Sequence, residues 1–135
     1  MDAENSNANT KSKVLLVEDE ESVAKLMLYS FKKAGYEYEW AENGLEGYLL
    51  TKSFRPDIIV SDIMMPEVDG YQFRKQLLED PELKLIPFVF LTAKGDENDI
   101  LDGYDLNIED YIVKTSGSKI ILAKIAAILK TSQKE

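Results

Sequence analysis

Four short apolar runs in this chain each stop at a charged or hydroxyl residue. Val14–Val17 ends at Glu18-Asp19, Ile58–Val60 leads through Ser61 to Asp62, Phe88–Leu91 ends at Thr92, and Tyr111–Val113 ends at Lys114. Runs of this length, rich in β-branched and aromatic residues, read as buried parallel strands. A parallel sheet brings the carboxyl ends of its strands to one edge, where open α/β sheets form their binding crevices. Three carboxylates, a hydroxyl and an ammonium therefore converge on one pocket. That inventory suits a divalent cation and a phosphoryl group.

The segments between the runs supply the rest of the fold. Glu20 to Ala34 carries Val23, Met27, Phe31 and Ala34 at helical spacing and stops at Gly35. Tyr36 to Trp40 alternates aromatic and acidic residues, as a strand near a sheet edge does. Asn43, with Glu46 three residues on, caps a helix reaching about Ser53. Asp69 to Glu79 reads as a helix carrying Phe73 and Leu77, Asp96 to about Tyr104 as a short one, and Ser118 to Lys130 as the last, with Ile121, Ile125, Ile128 and Leu129 on one stripe. Five strands alternate with five helices, and right-handed crossovers give a doubly wound α/β sheet. We read residues 1–12 as a disordered lead-in, 13–131 as one domain and 132–135 as a frayed tail.

Composition excludes several chemistries. Cysteine and histidine are both absent. The chain therefore has no disulfide, no thiolate or imidazole metal site, no Ser-His-Asp triad and no phosphohistidine of its own. A metal must be held by oxygen, which favours magnesium, manganese or calcium. The net charge of −9 argues against direct contact with nucleic acid, because phosphate backbones select basic surfaces. No apolar run approaches the roughly 20 residues that span a membrane. The expectation is a cytoplasmic protein without membrane insertion.

Asp62 is the candidate nucleophile, since a carboxylate can attack phosphorus to give an aspartyl phosphate. Glu18 and Asp19 supply oxygen ligands for a cation beside it. Lys114 is a point charge on a flexible stem that can pair with Asp62 or with phosphoryl oxygens. Thr92 offers a hydroxyl donor. Each residue also has a plain structural role: Asp19 as a helix cap, Asp62 as a cap of the loop ahead of Pro66, Thr92 as a turn residue, Lys114 as a solvated lysine. Four such coincidences at four strand ends weigh less than one shared pocket.

The stretch Asp62-Ile63-Met64-Met65-Pro66-Glu67-Val68-Asp69-Gly70, with the acidic pair before it and Thr92 and Lys114 after it, closely resembles the receiver domain of two-component response regulators. The resemblance runs from about Lys13 to Lys130. It implies a five-stranded, flavodoxin-like (βα)5 fold with strand order 2-1-3-4-5. It also implies that Asp62 is the phosphoacceptor, charged by a histidine kinase or a histidine phosphotransfer protein. Glu18, Asp19, Asp62 and the main-chain carbonyl of Met64 are then the ligands of Mg2+, for which Mn2+ can substitute. The main-chain amides of Met64 and Ala93 bind phosphoryl oxygens. Thr92 and Tyr111 form the switch, and the output face comprises the fourth helix, fifth strand and fifth helix, where aromatics near Tyr104 and Tyr111 are expected to be exposed. The chain is then a signalling switch, not a turnover enzyme, and acts as a monomer or a phosphorylation-dependent dimer.

Three positions depart from the family pattern, one of them Glu18, where aspartate is commoner although many relatives share the change. The family follows its lysine with a proline in a cis peptide bond, whereas this chain has Lys114-Thr115-Ser116-Gly117. A cis bond before a non-proline residue costs roughly 3 kcal/mol, so the peptide is expected to be trans, with Gly117 absorbing the changed path. Asn107 stands where relatives carry glycine, and asparagine tolerates the left-handed conformation. Met64 and Lys94 occupy the positions where the family tunes phosphorylation and dephosphorylation rates. Two other functions compete: a degenerate, unphosphorylated binding module, and a magnesium-dependent phosphatase. The phosphatase is disfavoured because Met64 stands where such enzymes place a general acid. Since the sequence stops soon after the last helix, the expectation is a single-domain receiver, a relay intermediate or a piece of a longer regulator.

Overall fold

In the computed structural model, residues 11–93 and 106–132 are described. Five strands, β1 (Lys13–Val17), β2 (Glu37–Ala41), β3 (Ile58–Asp62), β4 (Phe88–Thr92) and β5 (Asp110–Val113), form one sheet in the order β2-β1-β3-β4-β5. Every neighbouring pair is parallel. Helices α1 (Glu21–Lys33), α2 (Gly44–Phe54) and α3 (Gly70–Leu78) and a C-terminal helix (Ser118–Ser132) cover the sheet. The helix expected over Asp96–Tyr104 lies outside the described residues. This is a doubly wound, flavodoxin-like topology, with the expected strand order 2-1-3-4-5.

The central strands are continuous apolar runs because both of their faces are covered. Val14, Leu16, Ile58, Val60, Val89, Leu91 and Ile112 pack with α1 and the C-terminal helix. The alternate residues Leu15, Val17, Ile59, Phe88 and Phe90 pack with Phe73 and Leu77 of α3 on the other side. At the edge, β2 keeps Glu37 and Glu39 exposed and only Ala41 buried, which guards its free side with charge.

The helix signals hold in most places. The Asn43 side chain accepts from the Glu46 amide at 2.9 Å and starts α2. Asp69 starts α3 through a capping box with Gln72. In α1 the buried stripe is Ala24, Met27 and Phe31. Ala34, expected on that stripe, is exposed because the helix ends at Lys33 and the chain turns away at Gly35, where φ is 91°. A 3-10 turn spans Leu83–Leu85, and a second, Lys114–Ser116, links β5 to the C-terminal helix.

Candidate functional site

Register places the chemistry. Val17 of β1 stands opposite Ser61 of β3, Asp62 opposite Leu91 of β4, and Thr92 opposite Val113 of β5. Glu18, Asp62, Thr92 and Lys114 therefore emerge along one edge. Glu18, Asp62 and Thr92 are buried, Asp19 is exposed, and Glu18, Asp19 and Asp62 each bring one carboxylate oxygen within 4.8 Å of the others. The Lys114 Nζ lies 2.9 Å from Asp62 Oδ2 and 3.2 Å from Glu18 Oε1. A cavity of about 390 Å3 opens between Asp19, Asp62, Thr92, Ala93 and Lys114, with Met64 on its wall.

The two buried acids are held by the main chain. Asp62 Oδ1 accepts from the Ile63 amide at 2.8 Å, and Glu18 Oε2 accepts from the Glu20 amide at 3.0 Å. The Trp40 indole donates to the Glu18 carbonyl at 2.8 Å and the Glu18 amide donates to the Ala41 carbonyl at 3.0 Å, so the end of β2 braces the end of β1. Gly70 is packed directly on Asp62: its amide donates to the Ile63 carbonyl at 2.7 Å, and a side chain there would meet the Asp62 carbonyl oxygen.

Burial dominates the electrostatics. It pushes the Glu18 carboxyl above its ordinary value, the Asp62 charge pushes it further, and the Glu20 amide and Lys114 offset only part of this. Burial likewise raises Asp62, against the pull of Lys114 and the Ile63 amide. Burial alone would lower Lys114, but Asp62 and Glu18 outweigh it and hold the ammonium above its ordinary value. The result is a desolvated pocket with an excess of acid over base, and one lysine shared by two carboxylates.

The expected residues converge, with differences in detail. Asp19 does not cap α1; the cap position is Glu20, with no side-chain hydrogen bond. The Lys114–Thr115 peptide is trans, and Gly117, at φ 95°, carries the turn. Asn107 adopts φ 54°, as its residue type allows. Tyr111, expected as an exposed aromatic, is half-buried because its ring packs on Phe90 at 5.7 Å between centroids; Tyr104 and Lys94 lie outside the described residues. The brace from Trp40 and the contact of Gly70 with Asp62 were not foreseen. A tryptophan on an edge strand carries no signal of a partner 22 residues away, and Gly70 stood out only as part of a motif.

Residues 14–126 match the family profile described as the response regulator receiver domain. The chain belongs to this family. Curated relatives include the alkaline phosphatase synthesis transcriptional regulatory protein PhoP of Bacillus subtilis, 36% identical over 90% of this chain and 50% of that protein. The DNA-binding dual master transcriptional regulator RpaA of Synechocystis is 30% identical over 90% of this chain and 51% of that protein. Among solved structures, chemotaxis response regulator CheY4 of Vibrio cholerae superposes with a TM-score of 0.82 at 28% identity, covering 88% of this chain and 99% of that one. The signal receiver domain of a histidine kinase from Syntrophus aciditrophicus gives 0.84 at 29%, covering 92% and 94%. This receiver thus spans about half the length of the curated relatives it matches.

These relatives correct one expectation. Direct contact with nucleic acid was excluded on net charge, yet RpaA is by name a DNA-binding regulator and PhoP a transcriptional one. A charge of −9 sums only these 135 residues. It describes the surface of the receiver and carries no information about sequence outside the match. Among the described residues, no helix is long and apolar enough to cross a membrane.

Proposed function

We propose that this receiver is a switch charged at Asp62 by a phosphohistidine on another protein. One oxygen of Asp62 bonds to phosphorus as the phosphorus–nitrogen bond of the donor breaks, and the proton balance is met at the departing imidazole. The observation that carries this reading is the Lys114 Nζ at 2.9 Å from the Asp62 carboxylate within a desolvated acidic pocket. The lysine holds the acceptor in place at rest and is close enough to meet the incoming phosphoryl oxygens. Thr92, buried on the pocket wall, offers its hydroxyl to one of them, and the amides of Met64 and Ala93 offer further donors. A cytoplasmic location goes with this reading.

The donor set fits Mg2+. Glu18 is buried, its Oε1 ion-paired with Lys114 at 3.2 Å and without a further hydrogen bond among the described residues, and Glu18, Asp19 and Asp62 bring carboxylate oxygens within ligand range of one another. Glu18, Asp19, Asp62 and the Met64 carbonyl would hold the ion, with Mn2+ as substitute. When bound it supplies the positive charge that offsets three acids and an arriving anion. A larger apolar groove of about 830 Å3 between α1 and the C-terminal helix meets the pocket at Glu20 and Lys114. Such a surface beside the acceptor favours a protein donor over the small phosphoesters of a phosphatase.

After transfer, Thr92 and Tyr111 rearrange and alter the face around β5, biasing a two-state packing. Transcriptional control is the output we propose, because PhoP and RpaA are transcriptional regulators. The test is incubation with acetyl phosphate and magnesium, followed by intact mass. A single phosphoryl adduct on the wild type and none on Asp62→Asn is the expected result. No adduct under any condition turns the reading to a degenerate binding module, and repeated turnover of varied phosphoesters turns it to a phosphatase.

A further inference from the structure

Among the described residues, the largest fully buried side chain is not apolar. It is Arg74 of α3, 1% exposed. Burying a guanidinium is costly unless its donors are met. Arg74 Nε donates to the Leu106 carbonyl at 2.9 Å and Nη2 to the Asn107 carbonyl at 2.8 Å. Its guanidinium carbon lies over the Phe88 ring, 5.0 Å from the centroid. Nη1 has no hydrogen-bond partner among the described residues. Burial pushes the guanidinium below its ordinary value; the Glu109 carboxylate opposes this and accepts from the Phe88 amide at 2.6 Å. The Glu109 amide in turn donates to the Phe88 carbonyl at 2.8 Å. One arginine thus ties α3, the start of β4 and the chain entering β5 into a single knot.

A row of rings leads from this knot to the aromatic given the switch role above. Phe88 meets Phe90 edge-on at 5.1 Å, and Phe90 meets Tyr111 at 5.7 Å. Both ends of the seat of Tyr111 are therefore set from Arg74: the ring beneath it through Phe88 and Phe90, and its own strand through Leu106 and Asn107. An apolar residue of equal volume would fill the same space without desolvating a charge. The planar fork meets two consecutive carbonyls with two separate, rigidly spaced donors, which lysine replaces by one compact ammonium on a flexible stem.

We infer that Arg74 is a positioning residue for Tyr111, holding the entrance of β5 and the ring row on which that tyrosine rests. Its importance for signalling rests on the phosphoacceptor reading; its structural content does not. The test uses the full chain with Arg74→Met and Arg74→Lys, followed by NMR of the tyrosine rings, with the Tyr111 signal assigned from Tyr111→Phe. The expected result for Arg74→Met is a shifted Tyr111 ring signal and a Glu109 amide that exchanges about 10-fold faster, while Leu16 and Val60 keep their protection. Arg74→Lys falls between, and decides alone if Arg74→Met does not fold. An unchanged Tyr111 signal, or protection lost equally in β1 and β3, overturns the inference and leaves Arg74 a general core residue. Acetyl phosphate labelling of the same samples separates the two claims. A missing Asp62 adduct in the wild type defeats the phosphoacceptor reading, while the Tyr111 and Glu109 signals still judge Arg74.

Discussion

Asp62 and Glu18 illustrate how a site residue can work against the fold that holds it. Both carboxyls sit above their ordinary values, chiefly through burial, so folding favours their protonated forms. Their contribution to stability is fully present below the unfolded values and is lost as pH rises through the folded ones. Lys114, also raised, contributes fully below its unfolded value and loses that contribution as pH rises through its folded one. Asn at position 62 cannot ionise, and Lys114 keeps Glu18 as partner at 3.2 Å. Asp62→Asn is therefore expected to melt higher than the wild type at pH 7, by roughly 3–5 °C if about 1 kcal/mol is recovered. The gap should narrow as pH falls toward the unfolded carboxylate range. Melting curves across pH check this, and an equal or lower Tm at neutral pH would contradict it.

At the level of elements, turns and caps decide how the pocket is presented. Asn43 serves α2 only, through its bond to the Glu46 amide. Asn43→Ala is expected to cost about 1 kcal/mol in urea titration and to leave Asp62 labelling unchanged. Gly70 behaves differently, because it opens α3 against the backbone of Asp62. A Cβ there would lie 2.9 Å from Ile63 Cα and 3.0 Å from the Phe90 ring, and neither backbone nor ring can yield without moving Asp62. Gly70→Ala should lose about 1–3 kcal/mol and also slow acetyl phosphate labelling. Normal labelling in a destabilised Gly70→Ala protein would show that the acceptor tolerates the shift.

For the whole molecule, the acidic pocket and the net charge of −9 make cations stabilising ligands. Magnesium is expected to raise Tm progressively, by an amount equivalent to about 2.7 kcal/mol at 100 times its Kd, and to do so less in Asp19→Asn. Scanning fluorimetry against matched sodium chloride separates site binding from screening, and identical curves for both salts would remove the metal site. Much of this molecule could be read along the chain. Parallel strands end together, so Glu18, Asp62, Thr92 and Lys114 had to meet once four buried runs were recognised, and Asn43 and Asp69 announce their helices locally. Other features needed the third dimension. A charged residue on a helix reads as solvated, yet Arg74 is buried by carbonyls 32 and 33 residues away. Trp40 bonds to Glu18 only because β2 and β1 are neighbours, and Tyr111 is half-buried only because Phe90 lies opposite it in register. Periodicity and strand endings are properties of consecutive residues, so the sequence by itself determined the fold class and the inventory of the pocket. Burial, pairing and shared charge are properties of residues distant in sequence, so only the tertiary structure decided how that inventory is held and what braces it.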